Sequence, residues 1–166
     1  MNLFQLFKAS LHNPKKIAAF RLVPIGKVMQ YIFTYVLIIT MISFVQFING
    51  LSVQETNMEE LLEYLKDIKW LIYPFSFVLL FVLNTLFIFI RISIFAYIGV
   101  IILSILKRKG EYRHMWRTAL FASTLPMLVS IVFSIFYWSS GYFELSIYMI
   151  TLVYLFLASK YYPIKR

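Results

Sequence analysis

"WLIYPFSFVLLFVLNTLFIFIRISIFAYIGVIILSIL" runs from Trp70 to Leu106 and decides the fold class. Its 37 residues include a single charged side chain, Arg91. As an α-helix the stretch is about 55 Å long, against a hydrocarbon core of about 30 Å. That is too long for one simple crossing and short for two. In a bilayer every backbone N–H and C=O must be satisfied inside the protein, which leaves helices and closed barrels. The short alternating segments of a barrel are nowhere in the chain. An all-α, polytopic membrane helix bundle is expected.

The rest of the composition agrees. Of 166 residues, 61% are hydrophobic, 19% aromatic and only 14% charged, whereas a soluble domain is about 45–50% apolar and about a quarter charged. A second span reads from Val28 to Ile48, with Gln30, Thr34, Thr40, Ser43 and Gln46 as its polar residues. A third apolar run, 118–137, is bracketed by Trp116 and Trp138, 22 residues apart. That is about 33 Å of helix, and indole rings favour the two membrane interfaces. A last run, 144–160, lies between Tyr142 and Tyr161 in the same manner, with Glu144 at its outer end.

Basic residues set the number of crossings. With four crossings (28–48, 70–106, 118–137 and 144–160) and the N-terminus inside, segments 1–27, 107–117 and 160–166 face the cytoplasm. Thirteen Lys and Arg then lie inside and two, Lys66 and Lys69, in the external loop 49–69. Five crossings put "KRKGEYRHMWR" outside. The positive-inside bias selects four, with both termini cytoplasmic. Counting down from Trp70 places Arg91 near the inner headgroup level, where it snorkels to lipid phosphate. A buried partner in the bundle and a substrate counter-ion are its other two roles. The remainder, "ISIFAYIGVIILSIL", needs a cover below the interface; re-entry near Gly99 would make five helical pieces.

Segment 1–27 is basic and amphipathic. Leu3, Phe4, Phe7 and Leu11 share a helical face, and Asn13-Pro14 starts a second short helix carrying Lys15, Lys16 and Arg21. Such helices lie in the interface plane. Lys15, Lys16, Arg21, Lys27, Arg113, Trp116 and Arg117 are therefore the expected lipid contacts, with anionic lipids as partners. The five basic residues of 1–27 precede no short apolar core with a cleavage site, so no cleaved leader is expected. Outside, Thr56 with Glu59 forms a capping box. Glu55, Glu59, Glu63 and Asp67 then make an acidic stripe, read as the solvated face of a surface helix.

Within the spans, Asn84 reads as an interhelical hydrogen-bonding amide. Ala122, Pro126, Ser130 and Ser134, at four-residue spacing, read as a close-packing face. Pro126 is expected to kink its helix and free a carbonyl for Ser123 or Thr124.

Chemistry finds little to work with. No cysteine is present, which excludes disulfides and thiolate sites. His12 and His114 belong to no metal-ligand pair, and no serine or threonine shows a base and orienter at its depth. The net charge of +9 is dispersed in segments flanking apolar runs, unlike a nucleic-acid surface. No cofactor, metal, catalytic residue or nucleic-acid partner is expected, and the chain reads as a non-enzyme.

Two blocks carry a resemblance: "PKKIAAF" (14–20) leading into the first span, and "YRHMWRTALFASTLP" (112–126). They resemble a family of Gram-positive bacterial membrane proteins known as a domain of unknown function, some labelled maltodextrin utilisation proteins. Relatives carry a larger external domain where this chain has about 20 residues, Asn49–Lys69. The layout is also similar to Yip-type multispanning proteins, which implies a bundle without enzymatic machinery. The implied role is a non-enzymatic accessory or scaffold protein of the bacterial plasma membrane, with a membrane-protein partner or a second copy. The alternative is a small transporter or transporter component whose polar path includes Asn84, Arg91, Ser123 and Ser130.

Overall fold

The computed structural model describes the backbone of residues 3–12, 14–54, 59–135 and 141–164, and side chains except at 1–4, 11–14, 51–69, 134–144 and 165–166. Seven α-helices are seen among the described residues: α1 Leu3–His12, α2 Pro14–Ala19, α3 Ile25–Gln54, α4 Glu59–Ile105, α5 Tyr112–Ala122, α6 Thr124–Ile135 and α7 Gly141–Ser159. A 3₁₀ turn, Phe20–Leu22, follows α2. The described residues contain no strand, only an isolated antiparallel bridge between Arg108 and Ile164. Three stretches, Ile25–Gly50, Trp70–Ile105 and Tyr112–Phe133, are long and apolar enough to cross a membrane. The apolar part of α7, Leu145–Ser159, is shorter.

The deciding stretch is one helix. α4 has 47 residues, so it is about 70 Å long, and it continues through Pro74 and Gly99. It also begins early: residues 59–69, read from sequence as a separate surface helix in the external loop, are its first turns. The run of 118–137, read as a single crossing kinked at Pro126, falls as far as residue 135 in α5 and α6, which meet at Ser123 within the apolar stretch Tyr112–Phe133. Proline explains the boundary. Its ring clashes with the carbonyl four residues back and its nitrogen donates no hydrogen bond, yet it is tolerated in a first helical turn. A helix starting at Thr124 puts Pro126 in that turn.

Contacts divide the chain into two compact units, residues 33–88 and residues 1–32 with 89–166. The first is an antiparallel hairpin of α3 and α4. Asn84 on α4 donates its amide to Thr40 Oγ1 at 3.3 Å, and Phe77 meets Phe44 edge-on at 5.4 Å. Partners fall along α4 as they rise along α3, which fixes the direction.

The second unit has a more conventional core. Leu6, Ile17, Ile32, Ile92, Phe121 and Leu155 are fully buried. α1 packs on α2, α5 and α6, α2 on α5 and α7, the 3₁₀ turn on α5, and α7 on both α5 and α6. The part of α4 beyond residue 88 is covered as well: Ile92, Phe95, Ala96 and Leu103 are buried. Beside Gly99 a Cβ would collide with Met115 of α5 and press on Leu155 of α7, so the absent side chain admits both helices. On α1 the buried line is Leu6 and Ser10, with Phe7 half-buried. Ser10 closes its hydroxyl onto Leu6 O at 2.7 Å; of the face read from sequence, Leu3, Phe4 and Leu11 lie outside the described side chains.

Candidate functional site

The densest polar constellation gathers around Tyr162, just past the end of α7. This side chain is 1% exposed although Tyr161 beside it is 55% exposed. Its hydroxyl shares a 2.6 Å hydrogen bond with Thr118 Oγ1 on α5. The Arg21 guanidinium lies over its ring at 4.8 Å, a cation–π contact. Its carbonyl accepts from Arg108 Nη1 at 2.7 Å. Next to it Lys109 N donates to Pro163 O at 2.8 Å, and Arg117 Nη1 donates to Arg21 O at 2.9 Å. Three distant parts of the chain are thus fastened at one point. Burial raises the Tyr162 hydroxyl above its ordinary pKa of 10.0, and the Thr118 bond and the Arg21 charge pull it back only in part.

Glycine and backbone geometry make room for this joint. A Cβ on Gly110 would meet Leu103 and the Tyr162 ring closer than van der Waals contact allows. α4 ends in a Schellman turn, with Arg108 N donating to Leu103 O and Lys107 N to Ser104 O. Lys107 occupies its left-handed position at φ 52°, where glycine is the usual residue.

A second constellation lies higher on α4. The Arg91 guanidinium stacks on the Tyr148 ring of α7 at 4.6 Å, and Phe95 meets the same ring at 6.2 Å. Ser93 accepts the Trp116 indole N–H at 3.3 Å, with Phe89 against that indole at 5.8 Å. An open, largely apolar groove of about 650 Å³ runs along this face, lined by residues that include Phe89, Ser93, Ile94, Tyr97 and Tyr112.

The residues singled out from sequence distribute as follows. Lys15, Lys16, Lys27 and Arg113 are exposed, Arg113 in an ion pair with Glu111 at 2.6 Å. Arg21, Trp116 and Arg117 are half-buried, their polar ends turned to the protein partners given above. Ser123 and Pro126 are buried and Ser130 half-buried. Ser123 Oγ donates to Ala119 O at 2.8 Å and Thr124 Oγ1 to Leu120 O at 3.5 Å. The Ser123 hydroxyl is thus turned to the Ala119 carbonyl and not to the Ala122 carbonyl that Pro126 would release. Asn84 and Arg91 share α4, seven positions apart. Asn84 belongs to the hairpin unit, whereas Arg91, Ser123 and Ser130 belong to the other. The capping box at Thr56, the acidic stripe, the Asn13 cap, the Trp138 and Tyr142 belts, the Glu144 cap and Ser134 lie outside the described residues or side chains.

Tyr162, Thr118, Arg108 and Gly110 were not legible as a set. "KYYP" (160–163) offers two adjacent tyrosines and no local reason to prefer either. The only signal is that Gly110 and Pro163 each stand beside a chain end of a helix.

The protein-family comparison bears on residues 46–159, where the chain matches the model described as a protein of unknown function, DUF1189. The chain belongs to the DUF1189 family. The DUF1189 match begins near the end of α3 and closes with α7, so it includes the "YRHMWRTALFASTLP" block and stops short of the opening "PKKIAAF". Of the joint around Tyr162, Thr118, Arg108 and Gly110 fall inside it, and Arg21 and Tyr162 fall outside. No curated protein and no solved structure matches the chain.

Proposed function

We propose that this chain is a non-enzymatic accessory or scaffold protein of the bacterial plasma membrane. It crosses four times with its basic segments on the cytoplasmic side, binds anionic lipid there, and engages a membrane-protein partner or a second copy.

The observation that supports this reading is where the polar side chains of the apolar helices point. The Asn84 amide is bonded to Thr40. The hydroxyls of Ser123, Thr151 and Ser159 are bonded to carbonyls one turn back on their own helices. A transport path or reaction centre would present such groups to a solute. The exposed Lys15, Lys16 and Lys27 suit lipid phosphate, each basic residue near an anionic surface contributing about 1 kcal/mol.

The transporter reading draws on Arg91, a guanidinium on an apolar helix beside an aromatic ring. Replacing Arg91 and Asn84 by alanine separates the two. Loss of a solute flux at unchanged protein level would establish the transporter; reduced abundance with no lost flux is the scaffold outcome. Because the chain has no cysteine, a single Glu111→Cys variant reports topology cleanly. It should resist a membrane-impermeant thiol reagent in intact cells, and labelling from outside would overturn the four-crossing layout. Gentle extraction should yield the protein with co-purifying lipid and a partner, whereas a lone, lipid-free species would count against the whole reading.

A further inference from the structure

We infer that the groove on α4 is a site for one acyl chain of an anionic phospholipid, with its headgroup at the basic turn between α4 and α5. This rests on the proposed membrane role and gives its lipid interaction a specific seat.

The groove is open along its length, and its volume of about 650 Å³ lies within the roughly 300–1,000 Å³ usual for small-ligand sites. Its α4 wall runs from Phe89 to Ile98, nine steps or about 13–14 Å. One leaflet's share of the hydrocarbon core is about 15 Å, so the wall and an extended chain are matched in length. The wall is apolar, with Ile94 and Tyr97 at 56% and 66% exposure. Tyr112, which also lines it, brings the groove to the turn Lys107–Arg113. That turn carries four basic residues and one acidic one.

Charge distinguishes the occupants. A second copy docking here would bring two such turns together, both net positive and with Lys107, Lys109 and Arg113 exposed. Like charges in proximity disfavour that pairing. An anionic lipid brings the opposite sign to the same place, while its chain meets the apolar wall.

Trp116 reports on the site, since its indole contacts both Phe89 and Ser93 of the wall. The test uses the full chain with Trp70 and Trp138 changed to phenylalanine, reconstituted in vesicles. Phosphatidylglycerol brominated on its chains should quench Trp116 at several-fold lower mole fraction than equally brominated phosphatidylcholine. In Lys109→Gln with Arg113→Gln that several-fold preference should be lost, leaving the two lipids about equally effective. Equal quenching by the two lipids, or a preference unaffected by the double substitution, would overturn the inference. If phosphatidylglycerol still co-purifies in that case, the general lipid reading stands and only this seat is lost; if neither lipid is enriched, both fall. A Tyr97→Cys variant that cross-links efficiently to itself in those vesicles would assign the groove to a second copy instead.

Discussion

The two units of this protein are held together by different means. The hairpin of residues 33–88 turns most of its large apolar side chains outward: Leu37, Val45, Phe75, Val78 and Phe87 are all about half exposed or more. Its described internal fastenings include one amide–hydroxyl bond and one ring pair. The unit of residues 1–32 and 89–166 buries its apolar residues on several helices and closes around Tyr162 with charged, aromatic and backbone groups. In lipid there is no hydrophobic drive between helices, so the hairpin depends on packing and modest hydrogen bonds. In the other unit the fully buried Tyr162 ring adds its large apolar area to the bonds that its hydroxyl and carbonyl make.

If that contrast is right, the largest loss of stability follows from Tyr162→Ala. Removing a fully buried aromatic side chain costs about 3–5 kcal/mol, read as a fall in the midpoint of heat-induced aggregation in detergent. Tyr162→Phe keeps the ring and isolates the hydroxyl. The native hydroxyl titrates above its ordinary value of 10.0 because it is buried. From pH 10 upward the unfolded chain therefore releases this proton before the folded one does, and stability declines. Tyr162→Phe should flatten that alkaline decline; an unchanged slope would mean that the hydroxyl is accessible to water.

Gly110→Ala ranks next, because overpacking against Leu103 and Tyr162 costs about 1–3 kcal/mol. Gly26→Ala is its control. Nothing lies within 4 Å of a Cβ there, so alanine in α3 should be neutral or stabilise by about 0.5–1 kcal/mol. In the hairpin, the coupling between Asn84→Ala and Thr40→Ala in a double-mutant cycle should be only about 0.6 kcal/mol. A coupling above about 2 kcal/mol would erase the distinction between the units. The smallest effect is a gain. Lys107→Gly relieves a left-handed backbone at the Schellman turn and should stabilise by about 0.5 kcal/mol once the greater freedom of unfolded glycine is deducted.

Much of the fold was legible because the bilayer imposes one rule on a long apolar run. The span at Val28–Ile48 lies inside α3, and the ambiguous Trp70–Leu106 proved to be helix throughout to Ile105. Asn84 was correctly read as an interhelical bond. The boundary at Ser123 was not read, although Pro126 was noticed, since a proline marks a kink or a first turn with equal ease. The partners of Arg21, Trp116 and Arg117 also escaped the sequence, because an exposed lipid contact and a cation turned onto a distant carbonyl or ring share one local pattern.

Hydropathy alone determined that this chain is a helical membrane protein, for desolvating unpaired backbone leaves it little else to be. Which residues cover the lower half of α4, and which of two neighbouring tyrosines becomes the joint, were decided only in three dimensions. Those outcomes rest on contacts between positions up to 141 apart, Arg21 and Tyr162, and no local periodicity encodes them.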